Sequence, residues 1–332
     1  MSAPFDGRRF SNPHAPTGKS LWKVIWWLAF TRRRKWPRWI DDVPPSAPPP
    51  TPGPDELGVT FVNHSTFFLQ GGGVNVLTDP VWSERASPLT WAGPRRVRRP
   101  GLDLDHLPPI HVVLVSHNHY DHMDLSTLRQ LERRHKPLFV TGRGNRRTLE
   151  RAGLRRVAEL DWWQHLDAGG GLGVTMTPAQ HFSRRGIFDV NRSLWGGFLL
   201  QFGSCKVYFT GDSGYGPHFR AIRDRLGPPD VALLPIGAYE PRWFMHVNHV
   251  NPEEAVRAHL DLAARRSFAM HFGTFQLTDE SIDEPAQKLR EAMRECGVDE
   301  EAFRVPGFGE TCLVKLPPGE RRGLSPPCWP PG

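Results

Sequence analysis

Apolar and polar positions alternate in short runs along most of the chain. Val59–Val62, Thr66–Leu69 and Val74–Leu77 predict strands separated by turn residues, among them Gly71-Gly72-Gly73. His111–Val115 predicts a buried strand that opens into a polar stretch, His117–Asp124, and helical periodicity then runs from Leu125 to about Arg134. Leu138–Thr141 predicts a strand and Arg146–Ala152 a helix. Strands follow at Gly173–Thr177, Gly197–Phe202 and Lys206–Thr210, then a helix at His218–Leu226 and a strand at Val231–Pro235. Asn251-Pro252-Glu253-Glu254 opens a helix to about Ala264, with Asn as cap, Pro in the first turn and acids facing the helix dipole. Ser267–His271 is strand-like, Glu284–Cys296 helical and Thr311–Lys315 a closing strand. Strands come in runs before helices, without strict βαβ alternation, which predicts an α/β fold of mixed sheets covered by helices.

Composition locates the rest of the organisation. With 39% hydrophobic and 23% charged residues the chain is globular, and neither disorder nor a disulfide scaffold fits it. The formal charge of +7 is concentrated at one end: residues 1–40 hold nine basic side chains against one acidic, and 41–332 hold 33 against 34. That distribution excludes a body built to track phosphates along its whole surface. Residues 1–40 interleave this charge with Trp22, Trp26, Trp27, Trp36 and Trp39; the segment reads either as a membrane-interface helix or as a strap whose tryptophans pack on the body. Residues 41–54, half of them proline, predict a linker; 55–316 form the folded domain, and 317–332 a Pro/Gly-rich tail. Cys205, Cys296, Cys312 and Cys328 form no C-x-x-C pair and read as reduced, which suits a cytoplasmic location. The apolar run Leu21–Phe30 is too short to span a bilayer, and its positive flank follows it rather than precedes it, so neither a transmembrane helix nor a secretory signal is expected.

The densest chemistry is Ser116-His117-Asn118-His119-Tyr120-Asp121-His122, at the predicted end of the His111–Val115 strand. Four imidazole and carboxylate groups within six positions would compete for partners in an ordinary core, and a borderline metal such as Zn²⁺ resolves the conflict. Residues two apart on such a loop share one side while Asp121 and His122 turn to another, which suits two adjacent metal positions. These local groups do not complete two sites, so more must come from other strand ends. His181, Asp212 and His271 each follow a strand-like run.

This set resembles the metallo-β-lactamase superfamily, whose fold is an αββα sandwich of two mixed sheets flanked by helices. The resemblance implies one metal on His117, His119 and His181, another on Asp121, His122 and His271, and Asp212 bridging them with a hydroxide. Further blocks, Leu77-Thr78-Asp79-Pro80, Arg85-Ala86-Ser87-Pro88, Pro178-Ala179-Gln180-His181, Gly211-Asp212-Ser213-Gly214-Tyr215, Ala238-Tyr239-Glu240-Pro241-Arg242-Trp243-Phe244-Met245 and His271-Phe272-Gly273-Thr274-Phe275, closely resemble the N-acylphosphatidylethanolamine-hydrolysing phospholipase D family. What that implies is a phospholipid substrate cleaved on its head-group side to phosphatidic acid and an N-acylethanolamine, by two zinc ions. It also implies a homodimer as an available assembly, while the basic, Trp-rich residues 1–40 suggest a peripheral contact with an anionic membrane and the near-neutral body no nucleic-acid partner. Asp79 would support the metal ligands or protonate the leaving group, and Tyr120 and His249 would line the substrate side. Mammalian members carry Gln-Tyr where this chain has Thr90-Trp91, so the lipid-contacting loop departs from the pattern. Trp243-Phe244-Met245 reads equally as a lipid-facing rim or as core. Bacterial ascorbate-6-phosphate lactonases share the metal motif, which leaves a soluble lactonase or phosphoesterase acting on a small polar molecule as the alternative. A nucleic-acid module using residues 1–40 ranks last, because no ligand of the metal set is missing.

Overall fold

The computed structural model describes residues 2–16, 26–27, 34–41 and 51–315. Six strands of a first sheet come from the first half of the body: β1 (Glu56–Asn63), β2 (Thr66–Gly71), β3 (Val74–Thr78), β4 (Val112–Val115), β5 (Leu138–Gly142) and β6 (Val157–Leu160). A second sheet takes β7 (His165–Asp167), β8 (Leu172–Thr177), β9 (Gly197–Phe202), β10 (Cys205–Phe209), β11 (Val231–Pro235), β12 (Arg266–Met270) and β13 (Phe303–Arg304). The closing strand β14 (Thr311–Lys315) returns to the first sheet and pairs antiparallel with β1, giving seven strands in each.

Period-two patterning explains why these strands form two sheets that face each other. In β4, Val112 and Leu114 turn inward while Val113 and Val115 turn outward; in β10, Val207 and Phe209 are inward and Tyr208 outward. The inward set, with Phe61, Phe67, Phe198, Leu233 and Phe268, forms the core between the sheets. Outside the first sheet lie α1 (Leu125–His135) and α2 (Arg146–Arg151); outside the second lie α3 (His218–Leu226), α5 (Pro252–Leu262) and α6 (Glu284–Cys296), with the single-turn α4 (Arg242–Met245) between α3 and α5 in sequence. The result is the αββα sandwich of two mixed sheets. Asp124 caps α1 by accepting from the Ser126 and Thr127 amides, and Asn251 closes a reciprocal capping box with Glu254 on α5. β7 and β13, of three and two residues, and the single-turn α4 are too short to carry a period; β6, as long as β4, also lies outside the strands the pattern predicts.

Strand direction decides where chemistry collects. β1 is antiparallel to β2 and β2 to β3, while β3, β4 and β5 are parallel, so β1, β3 and β4 all end at one edge. By the same reasoning β8, β10, β11 and β12 end together in the second sheet. At that edge the His271 amide donates to the His64 carbonyl at 2.7 Å and ties the two sheets together.

The described N-terminal residues lie against the body. Phe10 is buried, the Ala3 amide donates to Asp161, and the indoles of Trp27 and Trp36 donate to Asp279 and to the Glu280 carbonyl. Trp27 stacks on Phe244, and Trp26 meets Trp243 edge-on, with Trp26, Trp39 and Trp243 still partly exposed. Trp22, Arg32, Arg33, residues 42–50 of the proline-rich stretch, and the tail from 316, including Cys328, lie outside the described residues. Cys205, Cys296 and Cys312 are free thiols. Among the described residues no helix is long and apolar enough to cross a membrane.

Candidate metal centre

Each group of the centre stands at or just past a strand end. His64 and Asp79 directly follow β1 and β3, and His117 to His122 occupy the loop between β4 and α1. His181, Asp212 and His271 come after β8, β10 and β12. His64, Asp79 and His271 all have φ in the left-handed region, at 48°, 33° and 61°. Such backbones cost about 1–3 kcal/mol each in non-glycine residues and persist where the surroundings fix them. Gly211 has φ 63°, and a Cβ there would lie 2.7 Å from that of Ser116; only glycine lets β10 deliver Asp212 beside the histidine loop.

Two groups of donors result. His117 Nε2 lies 2.8 Å from His119 Nδ1, and His181 Nε2 lies 3.3 Å from the same atom. In the other group, Asp121 Oδ2 is 3.3 Å from His122 Nε2 and 3.5 Å from His271 Nε2. Asp212 sits between them: Oδ2 lies 3.2 Å from His122, 3.8 Å from His181 and 3.9 Å from His117, and Oδ1 lies 3.3 Å from His271. All of these side chains but His119 are buried.

The supports behind the ligands set their orientation. Asp79 is completely buried; its carboxylate accepts from the Ser116 amide and hydroxyl and from His122 Nδ1, the last at 2.6 Å. His181 Nδ1 donates to the Asn248 carbonyl at 3.0 Å. Both arrangements leave Nε2 for the centre. Two supports were not anticipated from the sequence. His64 Nε2 contacts Asp121 Oδ2 at 3.0 Å, with its ring 4.0 Å from that of His271. It ends an apolar strand as the other ligands do, so the strand-end rule that found them applies to it too. Asn12, from the N-terminal segment, donates its amide to the His181 carbonyl at 2.9 Å, and no local pattern announces a contact across 169 positions.

The electrostatics are those of a cation site. Burial disfavours ionised Asp121 and Asp212, but the His122 imidazole beside both, and His271 beside Asp212, outweigh it and hold the carboxyls well below the usual range. His122 is held well above its ordinary value because Asp212, Asp121 and Asp79 overcome the effect of burial, and His271 rises to about 9 through Asp212 against the same opposition. Burial and neighbouring imidazoles push His117 and His181 well below. His122 Nε2, His271 Nε2 and Asp212 Oδ1 are buried without a partner in hydrogen-bond geometry, although they face one another. Imidazole nitrogens and carboxylate oxygens converging in this way fit a metal ion, which these groups could hold.

Of the remaining candidates His249 borders this centre, whereas Tyr120 and Thr90 line a cleft that contains none of its donors. His249 places Nδ1 3.9 Å from Asp212 Oδ2, and its carbonyl accepts from Arg242, which also pairs with Glu254 at 2.8 Å. Tyr120 donates its hydroxyl to the Arg185 carbonyl, and the Arg185 guanidinium lies 4.1 Å above its ring. A cleft of about 710 Å³ joins Tyr120 and Arg185 to Leu89 and Thr90. Trp91 lies beyond its walls, three-quarters exposed.

Comparison with known proteins agrees with this geometry. A sequence model described as the beta-lactamase superfamily domain matches residues 74–272. The chain is 38% identical to the N-acyl-phosphatidylethanolamine-hydrolyzing phospholipase D 1 of Caenorhabditis elegans, over 71% of this chain and 70% of that protein. It is 34% identical to the mitochondrial N-acyl-phosphatidylethanolamine-hydrolyzing phospholipase D of Saccharomyces cerevisiae, over 76% of this chain and 55% of that one. Among solved structures, Igni18, a metallo hydrolase from Ignicoccus hospitalis, superposes with a TM-score of 0.60 at 24% identity, covering 79% of this chain and all of its own.

Proposed function

The chain belongs to the metallo-β-lactamase superfamily and is a metal-dependent hydrolase; from that premise we propose that it hydrolyses the phosphodiester of N-acylphosphatidylethanolamine, releasing an N-acylethanolamine and phosphatidic acid. The observation that carries the reading is the position of Asp212, within 4 Å of donors in both groups. His117, His119 and His181 would hold one zinc ion and Asp121, His122 and His271 a second, with Asp212 shared. When bound, such a pair supplies Lewis acidity toward phosphoryl oxygens and a water acidic enough to ionise near neutral pH. The C. elegans and yeast relatives, by their names, act on this lipid.

The chain's own residues then divide the work. Asp79 has no exposed surface and spends its oxygens on Ser116 and His122, so its part is to orient His122 rather than to reach a leaving group. His249 stands near Asp212 with a partly open side chain, and would be the imidazole that gives a proton to the departing ethanolamine oxygen. Tyr120 and Thr90 border a cleft beside the metal loop, which on this reading would take part of the lipid. Contact with an anionic lipid surface belongs to the same reading.

The test is metal analysis with product identification on three substrates: N-acylphosphatidylethanolamine, ordinary phosphatidylethanolamine and a small lactone phosphate. Release of N-acylethanolamine, abolished by His119→Ala, is the expected result. Turnover of the lactone phosphate alone, without vesicles, would overturn the lipid reading in favour of a small polar substrate.

A further inference from the structure

Among the described residues the three most exposed large apolar side chains are Trp91, Ile187 and Phe188, at 75%, 75% and 80%. They belong to two loops on the same cleft: Leu89 and Thr90 line it from one loop, Arg185 from the other, with Tyr120 of the metal loop between them in its wall. Neither loop is a loose excursion. Asp189 accepts from the amides of Arg185 and Gly186, and the Arg185 guanidinium donates to the carbonyls of Asn118 and Met123, so the turn carrying Ile187 and Phe188 is fastened to the metal loop. Across the cleft, Arg85 donates to the Thr90 and Gly93 carbonyls and holds the turn that presents Leu89 and Trp91.

Ordered loops that hold large apolar groups in water mark a surface meant to be covered. Charge names the cover. Residues 83–99 contain one acid and five arginines, of which Arg96 is buried on the Ser83 and Val81 carbonyls and the other four reach the surface, and 183–192 contain three arginines and one acid. Glu84 is paired with Arg95, and Asp189 is occupied by the amides of its own turn. Apolar tips in a strongly basic surround fit the headgroup region of an anionic bilayer, where aromatic and aliphatic side chains enter the interface and arginines meet lipid phosphates.

We propose that the tips at Leu89–Trp91 and Ile187–Phe188 are the element by which the protein docks on an anionic lipid surface, with the cleft opening toward the lipid. It rests on the lipid reading only for its purpose, because docking is measurable on a lipid that is not a substrate. The test is sedimentation of the full zinc-loaded chain with vesicles of phosphatidylcholine alone and with vesicles of phosphatidylcholine and phosphatidylglycerol in equal parts. The wild type is expected to partition to the mixed vesicles and poorly to the neutral ones. Ile187→Ser combined with Phe188→Ser should lower partitioning about tenfold or more, as should Trp91→Ser. Turnover of the water-soluble bis(p-nitrophenyl) phosphate by the Ile187/Phe188 variant should stay unchanged, which separates lost docking from lost folding. Equal partitioning of wild type and paired variant would overturn the proposal. So would wild type that binds neither vesicle. Docking without hydrolysis of N-acylphosphatidylethanolamine would sink the proposed reaction and leave the docking surface standing.

Discussion

The two donor groups, the halves of the candidate metal centre, lie side by side but are held in different ways. His117, His119 and His181 form a half with no carboxylate of its own, supported by neutral groups: the Asn248 carbonyl, the Asn12 amide and the Ser116 hydroxyl. Asp121, His122 and His271 form a half steeped in charge, with Asp79 behind His122 and His64 beside Asp121. Among the described residues Asp212 is the only carboxylate within 4 Å of both. Because divalent-ion affinity grows with the number of charged ligands, the first half depends on Asp212 for its entire formal charge, whereas the second keeps Asp121 without it.

The largest effect should therefore come from Asp212→Asn. Hydrolysis is expected to fall by about a thousandfold or more, the scale of losing a group that acts at the reacting centre. Metal analysis should find the loss concentrated in the neutral half, leaving near one ion per chain. Retention of two ions would break the comparison outright, showing that three imidazoles suffice.

A paired substitution sharpens it next. His64→Ala removes the contact on Asp121 and should weaken metal binding in the charged half by about 10- to 100-fold, the usual reach of an outer support. Asn12→Ala frees the His181 carbonyl and should weaken the neutral half about tenfold, since a buried carbonyl stripped of its donor costs about 1–3 kcal/mol, offset in part by relaxation. Competition titration with a chromophoric chelator resolves the two affinities. If both variants lose the same ion, the halves do not have separate supports.

The same division shows how much was open to reading in the sequence. The His117–His122 cluster was legible because one loop supplies four groups in succession, and the strand-end positions of His181, Asp212 and His271 were legible once a short apolar run could be seen before each. His64 obeys the same rule after β1 but stands alone, so nothing nearby drew notice to it. Asn12 could not be read at all: a side-chain amide reaching a main-chain carbonyl 169 positions away leaves no pattern. The two sheets followed from patterning in the strands of four residues or more, β6 excepted, while β7 and β13, at three and two, hold too few residues for alternation to register. Trp27 and Trp36 show a similar limit, since amphipathic spacing predicts an apolar face without saying whether lipid or the protein's own Phe244 and Glu280 will meet it.

The smallest expected effect concerns acid, and it bears on the neutral half. The Ser213 hydroxyl, next to Asp212, accepts from the amide of Gln180, next to His181, and contacts His218 Nε2 at 3.0 Å. His218 is buried, which together with nearby His14 pushes it down to about 3 from the ordinary 6.5. Between those values the unfolded chain takes up a proton at this position and the folded one does not, so stability falls as pH drops from about 6.5 toward 3. His218→Asn should cost stability at neutral pH, where the imidazole packs on Phe219. It should also lose less on acidification: the gap between variant and wild type is expected to narrow by about 1.5 kcal/mol between pH 6.5 and 5, in urea titrations of chelator-treated protein so that metal release does not intervene. Parallel stability curves would mean that the fold accommodates a charged His218. The support of the neutral half would then be no more sensitive to acid than the carboxylate-rich half beside it.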